Sequence, residues 1–592
     1  MNPRALVHCS LLTTSLLIAS RAGAAEHVID DFESAGAPAP WVFYDGAEFP
    51  GAKGSLASSP GHEGKGARLS YDLSGGGQYV AASLSLDTPV AAKALAVWIK
   101  SPPAIRVTLR VVDDTGQTLQ LPAQRPLYAW DSAAWYRVVV PVTESSQHWG
   151  GADDGVLHGS VHSMSVLAAD PYEPGAVGAV DFDEVMWLDE VAFALDPATM
   201  VRAPVPAGAA RLRDRLGANI HFTSDDKALD ALRDAGFRWV RMDLFWSTVE
   251  HQGAYDFSAY DGLVNALESR DMQAHFILCY GHEDHASGPG WAPQTDAEVE
   301  AFGDYAQAAA EHFAAKPVQF EVWNEANIEA FWKPAPDVTR YTALAKEAVH
   351  RVHLGNPSAL VSTTGTAGVD LEFLRDCLAQ GCADEADAVG VHPYRQGGPE
   401  SAGQEILRLR ELIAAAVPAN PPVWQTEWGY SSTWYGDGHA QESRERQGVL
   451  AVREALTSWG LGFPLAVYYD TRDDGTDPTE KEHNFGLLTH EYGDKPAMVA
   501  LRTLSGFAAD RSLSAFGVAS PSSLHVMELE GAADRVYVLW SSAEGTPVPV
   551  RLPAGASVRS AMGDALTPDT EGGVASVMID ERSGPVYVVV PK

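Results

Sequence analysis

From Gly217 to Ser505, short apolar runs alternate with amphipathic stretches of helical period, and this alternation limits the fold more than any other feature of the 592 residues. The runs are Ala218 to Phe222, Trp239 to Leu244, Gln273 to Tyr280 and Gln319 to Trp323, then Ala359 to Thr363, Ala388 to His392, Val423 to Glu427 and Leu465 to Tyr469. Between them lie helical patterns such as Ala301 to Ala315, Val338 to Val352, Glu405 to Ala416 and Glu442 to Trp459. A strand whose successor lies beyond a helix pairs with it in parallel, and eight such units over about 300 residues predict a closed (β/α)8 TIM barrel. An open doubly wound sheet is the alternative, but it usually opens with a Gly-rich phosphate loop. This chain has none.

The flanks read differently. Residues 1–25 carry Arg4, an apolar stretch from Leu11 to Ala19, and Ala22-Gly23-Ala24-Ala25. That is the order expected of a secretory signal peptide. The apolar stretch is too short for a membrane span, which needs roughly 20 residues. No later segment is apolar for long enough either. Residues 26–200 hold short β-rich runs (Tyr79 to Leu86, Ala94 to Ile99, Arg106 to Val112, Tyr136 to Val142, Val185 to Phe193) separated by turn residues. Such a pattern predicts a β-sandwich. This segment is rich in aromatics, among them Trp41, Tyr44, Trp98, Trp130, Trp135, Trp149 and Trp187. Residues 201–210 contain Ala203-Pro204-Val205-Pro206-Ala207-Gly208, a linker by composition. The barrel is then expected over 211–507 and a small C-terminal β-sandwich, packed on it, over 508–592. Pro549, inside the run Val548 to Leu552, suits an edge strand.

Charge narrows the ligand. Lys and Arg total 42 against 78 Asp and Glu, a formal net charge of −36. Such acidity opposes a nucleic-acid partner or an anionic membrane surface. The hydrophobic content of 46% is too high for a disordered acidic chain. A neutral or cationic ligand remains. Export permits disulfides. Cys377 and Cys382 are near enough in sequence to close a small loop, and two free thiols fit equally well. Cys279 reads as a small core residue.

Catalytic groups in such barrels stand at the C-terminal ends of the strands. Those ends carry His221, Arg241 and Asp243 with Trp246, the segment Tyr280 to His285, and Glu321-Val322-Trp323-Asn324-Glu325. They continue with His392-Pro393-Tyr394-Arg395, Gln425-Thr426-Glu427-Trp428 and Tyr468 to Arg472. Two of them present a carboxylate directly after an apolar run, Glu325 on strand four and Glu427 on strand seven, which lie roughly across the ring. Glycoside hydrolysis uses such a pair: one carboxylic acid protonates the leaving oxygen, the other attacks or activates water. A gap of about 5–5.5 Å means retention and about 6.5–9.5 Å inversion. Asn324 suits a sugar 2-hydroxyl. Arg241 would keep Glu427 ionised, and Tyr394 would donate to the same group. Trp246, Trp291, Trp332 and Trp428 offer flat faces for sugar rings, or equally pack in the core or rim.

Val322-Trp323-Asn324-Glu325-Ala326-Asn327, with Phe331-Trp332 after it, resembles the strand-four acid/base signature of clan A retaining glycoside hydrolases, and Trp424-Gln425-Thr426-Glu427-Trp428-Gly429 resembles their strand-seven nucleophile signature. Val391-His392-Pro393-Tyr394 between them, and Phe485-Gly486-Leu487-Leu488 through Asp494-Lys495-Pro496, strengthen the likeness, which spans Gly217 to Ser505. It points to the cellulase-like family 5 and, through the C-terminal sandwich, to the xylosidase-like family 39. The resemblance implies Glu325 as general acid/base, Glu427 as nucleophile, and substrate contacts from Asn324, Arg241, His282, His392, Tyr394, Trp332, Trp428 and Tyr468. The last stands where the clan often has a tryptophan. No cofactor is implied for catalysis. The N-terminal segment resembles a galactose-binding-like carbohydrate-binding module. Asp30-Asp31-Phe32-Glu33 and Leu188-Asp189-Glu190-Val191 then mark paired edge strands, whose acids sometimes hold a structural calcium.

His282-Glu283-Asp284-His285 is one residue short of the H-E-x-x-H zinc spacing and reads as a loop lining the cleft. Asp473-Asp474-Gly475-Thr476-Asp477 lacks the length and terminal Glu of an EF-hand, and reads as a substrate-side loop. The chain has no G-x-S-x-G elbow to suggest a serine hydrolase. The expectation is therefore a secreted or periplasmic retaining β-glycoside hydrolase acting on a polysaccharide or oligosaccharide. The alternative is a non-catalytic glycan-binding or adhesion protein built on the same barrel.

Overall fold

The computed structural model describes residues 25–34, 36, 38–129, 134–169, 175–206, 208–209, 211–285, 291–519, 521–542 and 547–592. The expected leader, apart from Ala25, and Trp130 lie outside the described residues.

Eight parallel strands close into a barrel. In chain order they are β1 (Leu216–Asn219), β2 (Trp239–Phe245), β3 (Gln273–Cys279), β4 (Val318–Val322), β5 (Val361–Ala367), β6 (Ala388–His392), β7 (Val423–Trp428) and β8 (Ala466–Tyr468). Helices lie between successive strands, among them Asp226–Asp234, Asp296–His312, Val338–Gly355, Leu371–Ala379 and Gln441–Gly460. Their starts are written locally. Asp225, Thr295, Asp337 and Asp370 accept hydrogen bonds from first-turn amides, and Thr295 with Glu298 forms a full capping box. Each such cap satisfies an amide that the helix itself leaves without a partner. Along Val338–Gly355 the buried residues Tyr341, Leu344, Ala345, Ala348 and Val352 recur at three- and four-residue spacing. This is the stripe a barrel helix turns inward.

Strand β5 runs further than its apolar residues predict. It continues through Thr364, Gly365 and Thr366, with Gly365 at φ +43°. A Cβ there would meet a Glu321 carboxylate oxygen at 2.4 Å, so the position admits only glycine.

The N-terminal module is a sandwich of two six-stranded antiparallel sheets, an arrangement that buries the inner face of each. Along Arg106–Val112 the residues Val107, Leu109 and Val111 enter the core, where Phe32, Trp41, Leu69 and Phe182 also sit. Arg106 and Arg110 leave it on the other side, as strand alternation requires. Glu26–Asp30 pairs with Val177–Leu188. Only the first of these is an edge, because Val177–Leu188 lies between Lys65–Asp72 and Ala94–Lys100. The acids near this seam have separate partners: Asp30 accepts from Trp41, Glu33 from the Lys65 amide, Asp189 from the Ala25 amide, and Glu190 pairs with Arg551.

The C-terminal strands form two further sheets, and these borrow from upstream. Phe193–Ala194 pairs in parallel with Val548–Arg551, and Arg202–Ala203 pairs with Ser512–Gly517. Phe193 and Leu195 enter the same core as Leu524, Val526 and Tyr537. The segment assigned by sequence to the N-terminal module and linker thus supplies two strands to the other end of the chain, because its apolar side chains and backbone are satisfied there. Pro549 is not in an edge strand: Val548–Arg551 has Val574–Ile579 on one side and the two-residue Phe193–Ala194 on the other. That short neighbour begins opposite Val550. Pro549 therefore faces no ladder partner there, and its missing amide costs nothing.

This sandwich packs on the barrel. Phe516, Met527, Val538 and Trp540 join the barrel's core cluster, and Gln441–Gly460 is buried almost all round from Val449 onward. Its buried polar side chains, Arg453 and Glu454 among them, must then find partners inside the protein. Within the barrel Arg453 forks onto Glu400 at 2.7 and 2.9 Å; across the seam the Trp540 indole donates to Glu400 at 2.7 Å and Arg453 Nη1 to the Glu581 carbonyl at 3.0 Å. The fork holds the Glu400 carboxylate in place, and the charge-assisted bonds from Trp540 and to Glu581 tie the two parts together. Cys377 and Cys382 form a disulfide, and Cys279 is a buried free thiol. Among the described residues no helix is long and apolar enough to cross a membrane.

Candidate active site

The site is organised around one buried cation. Arg241, on β2, is fully buried and forks to three neighbours. Its Nε donates to Glu321 Oε2 at 2.7 Å, Nη1 to Glu427 Oε2 at 2.5 Å and Nη2 to Asn324 Oδ1 at 2.8 Å; the last also approaches His392 Nε2 at 3.3 Å. An arginine suits this place because its planar fork offers several fixed donors without losing its charge. Glu321, on β4, is the balancing anion. It also accepts from Thr426 Oγ1 at 2.6 Å and lies 3.3 Å from His275 Nε2. Burial alone would raise the Glu321 carboxyl, but Arg241 and then the flanking histidines override it and hold it well below the usual range. Opposite charge at contact distance outweighs the loss of water here.

Glu427, on β7, has its carboxylate held from two sides, by Arg241 and by the Tyr394 hydroxyl at 2.7 Å. Burial opposes its ionisation, yet His392 and Arg241 pull its pKa below the ordinary glutamate value. Glu325 follows β4. Its Oε1 meets His392 Nδ1 at 2.9 Å and its amide donates to the Gly365 carbonyl at 2.9 Å. Trp323 and Glu325 both have left-handed backbone, φ +65° and +47°. Such side chains rarely adopt it, and strain of this kind concentrates where a group must be aimed. His392 is buried, which disfavours its charge, but Glu427 and its other carboxylate neighbours raise its pKa to about 9. One oxygen of Glu325, one oxygen of Glu427 and a ring nitrogen of His392 all lie within 4.8 Å of one another.

These groups open into a cavity of about 490 Å³, also lined by Asp243, Tyr280, Phe331, Trp434 and Tyr469. It lies at the C-terminal ends of the strands, the usual place for the site of a barrel enzyme. On its β1 side His221 Nε2 lies 3.5 Å from Asp470 Oδ2. Burial lifts Asp470 to about 7, and Asp470 lifts His221 to about 9 against its own burial. A larger crevice of about 680 Å³, lined by Asp296, Lys346, His350 and Glu385, lies on the outer helices, away from the strand ends.

Among the described residues two sets of three groups have spacing a metal ion accepts: Glu325 with His392 and Glu427, and His221 with Asp470 and Asp474. The first already contains the Arg241 guanidinium bonded to Glu427, a charge that opposes a second cation. The acids near the edge strands of the N-terminal module, which in such modules sometimes hold calcium, form no such group among the described residues.

Of the residues singled out by sequence, Glu325, Glu427, Asn324, Arg241 and Tyr394 line this one cavity, with His392 behind them. Others stand elsewhere. Trp332 and Trp428 are 0% exposed, as is Trp246. Trp332 packs edge-on against Trp323 and Tyr341, and Trp428 lies between Tyr430 and Arg395. Strand alternation explains Trp428: with Glu427 turned to the mouth, its neighbour turns to the helix layer. Tyr468 obeys the same rule. It is buried beneath the carbonyls of Tyr430 and Phe485, and Tyr469 is the tyrosine at the cavity. His282 does not line the cavity either. It contacts the Glu250 carbonyl at 3.1 Å, while Glu250 binds Trp246 and His285, a brace for the loop after β3. Trp291 keeps partial exposure at the rim.

Sequence reading assigns no role to Glu321, His275 or Thr426. The signal is present in Glu321, a charge between Phe320 and Val322 in the middle of an apolar strand, because a buried charge must have a partner.

The family model for cellulase (glycosyl hydrolase family 5) matches residues 212–461. The chain is similar to a family 39 glycoside hydrolase from the gut symbiont Bacteroides cellulosilyticus WH2, at 18% identity and TM-score 0.55, over 82% of this chain and 95% of that one. It is similar to the family 39 enzyme from Xanthomonas axonopodis pv. citri, at 18% identity and TM-score 0.51, over 68% of this chain and 97% of that one. A family 39 β-xylosidase from Caulobacter crescentus is similar at 20% identity and TM-score 0.50, over 68% of this chain and 99% of that one. No curated protein matches. At these identities the structural likeness establishes the fold alone: an eight-stranded TIM barrel flanked by β-domains.

Proposed function

We propose that this protein is a β-glycoside hydrolase that cleaves O-glycosidic bonds with net retention, through two glutamates. The observation that carries the reading is the approach of Glu325 and Glu427 from β4 and β7, with an oxygen of each within 4.8 Å. That gap suits direct attack on the anomeric carbon and leaves too little room for the intervening water of an inverting enzyme.

The two carboxyl groups have different surroundings. Glu427 has a cation and a phenol on its oxygens and is kept ionised, as a nucleophile must be. Glu325 instead meets the His392 ring, a partner that can share or return a proton. Glu427 attacks the anomeric carbon while Glu325 protonates the departing oxygen, forming a glycosyl-enzyme ester. Glu325 then deprotonates water, which releases the sugar and regenerates Glu427. Asn324, fixed by Arg241, is placed to hold the 2-hydroxyl as charge develops. Tyr469, Phe331 and Trp434 give the sugar apolar walls.

The substrate in this reading is a neutral polysaccharide or oligosaccharide, and the similarity to a protein described as a β-xylosidase makes β-xylosides and β-glucosides the first compounds to try. The leader-like start and the disulfide favour an exported protein. Proton NMR of the earliest product from an aryl β-glycoside tests the mechanism. The β-anomer should appear first and mutarotate later; the α-anomer first would mean inversion and overturn the assignment.

Tyr394→Phe removes one charge-assisted hydrogen bond from Glu427. Such a bond is worth about 1.5–3 kcal/mol, so kcat should fall about 10- to 100-fold. Tyr394 helps depress the Glu427 pKa. Its loss should therefore move the acid limb of the kcat/KM profile to higher pH, a shift that pH-rate measurements read directly.

A further inference from the structure

The outer face of the N-terminal module carries an arrangement that its own folding does not explain. Gln147, Gln120, Arg110, Ser165 and Ser83 stand directly opposite one another on five adjacent strands. Their side chains are linked: Gln120 donates to Gln147 at 2.7 Å, Arg110 to Gln120 at 2.8 Å, and the two serine hydroxyls lie 2.9 Å apart. Beside this polar row sit aromatic rings. The Arg110 guanidinium lies 4.5 Å from the Tyr79 ring centre and 5.1 Å from that of Trp149. This cation–π pair of contacts fixes both rings. Trp149 nevertheless stays 44% exposed, and Tyr44 and Phe49 are 42% exposed nearby. Glu48 accepts from the hydroxyls of Tyr44, at 2.7 Å, and Tyr79. Together Glu48, Phe49, Gln78, Tyr79, Arg110 and Trp149 border a groove of about 370 Å³.

We infer that this groove is a second carbohydrate site, which binds a stretch of uncharged glycan apart from the barrel. The chemistry is specific in three ways. A sugar ring offers a C–H face and a hydroxyl edge, and the groove offers fixed aromatic planes beside amides, a guanidinium and a carboxylate. Among the described residues that border the groove one cation and one anion balance, which gives an anionic polymer no advantage. The row crosses the strands rather than following an edge, so it gives an extended ligand a track of about 19 Å, four strand spacings, without a backbone ladder for a peptide. Gln147 also lines a crevice of about 470 Å³ between module and barrel, together with Arg395 and Glu405. The occupant's identity rests on the glycosidase reading; the groove itself does not.

The test uses full-length protein in affinity gels containing soluble arabinoxylan, mixed-linkage β-glucan or polygalacturonate. The parent protein should be retarded by at least one neutral polymer, and Trp149→Ala should raise its apparent Kd at least about tenfold. Trp149→Tyr should recover part of the retention. Turnover of a small aryl glycoside should match the parent in both variants. Equal retardation of parent and Trp149→Ala, retention on neither neutral polymer, or retention on polygalacturonate alone would overturn the proposal. A protein that hydrolyses no glycoside but loses polymer binding with Trp149→Ala would sink the barrel reading and leave the groove standing.

Discussion

Glu427→Gln is expected to lower kcat by about 10⁴-fold or more without unfolding the protein, the scale seen when a covalent nucleophile is removed. Gln has nearly the same shape, and its carbonyl oxygen can still accept from Arg241. Arg241 keeps Glu321 as its counter-ion, so the arginine is not left buried without a partner charge. What disappears is a charged oxygen able to form the ester. Initial rates on an aryl β-glycoside and a thermal melt would separate the two effects, and turnover equal to the parent would rule Glu427 out as nucleophile. Glu427→Gly supplies a sharper form of the same test. The vacated space admits azide, which attacks from the carboxylate's side and gives a glycosyl azide of inverted configuration; no rescue by azide would count against the role.

Arg241→Met should cost both activity and stability. Methionine fills part of the volume but leaves Glu321 buried with no cation, and an uncompensated buried charge typically costs about 3–5 kcal/mol. The same change frees Glu427 and Asn324 from their shared donor, so turnover should drop below detection in ordinary assays. Arg241→Lys distinguishes charge from shape: an ammonium restores the balance with Glu321 but cannot reach three acceptors in one plane. Stability should thus recover more than kcat does. Equal melting temperatures for Arg241→Met and the parent would show that the buried ion cluster is not what holds the barrel's interior.

The barrel was legible because its signal is periodic and repeated. An apolar run of strand length followed by a helical stripe admits few structures, and β2, β3, β6 and β7 fall within a residue or two of their expected ends. The paired glutamates and Arg241 were legible for a related reason: charge at the end of an apolar strand in a barrel has one open side to face. The aromatic residues were not. A tryptophan beside Glu427 reads the same in sequence whether it lines the mouth or the helix layer. Only strand alternation, counted from the right register, sends Trp428 to the helices and brings Tyr469 rather than Tyr468 to the cavity. Glu321 announced only that some partner must exist, since nothing local names an arginine from another strand as the group that arrives opposite it. Phe193 and Arg202 failed for the longest-range reason of all, because the whole barrel separates them from their partners along the chain.

Those two short pairings bear on how the chain can be divided. A boundary drawn from composition at residue 200 would cut between Phe193–Ala194 and Arg202–Ala203 and strip the first of these strands from the far sandwich. An excised N-terminal fragment would then carry an apolar tail meant for another core. The remainder would expose the Val548–Arg551 backbone along a fresh edge, open to pairing with another chain. The natural seam lies a few residues earlier, before Phe193. From there the chain forms a belt that runs from the module, along the C-terminal sandwich and into the barrel, so that transplanting or shuffling any one part of this protein means deciding first who keeps the belt.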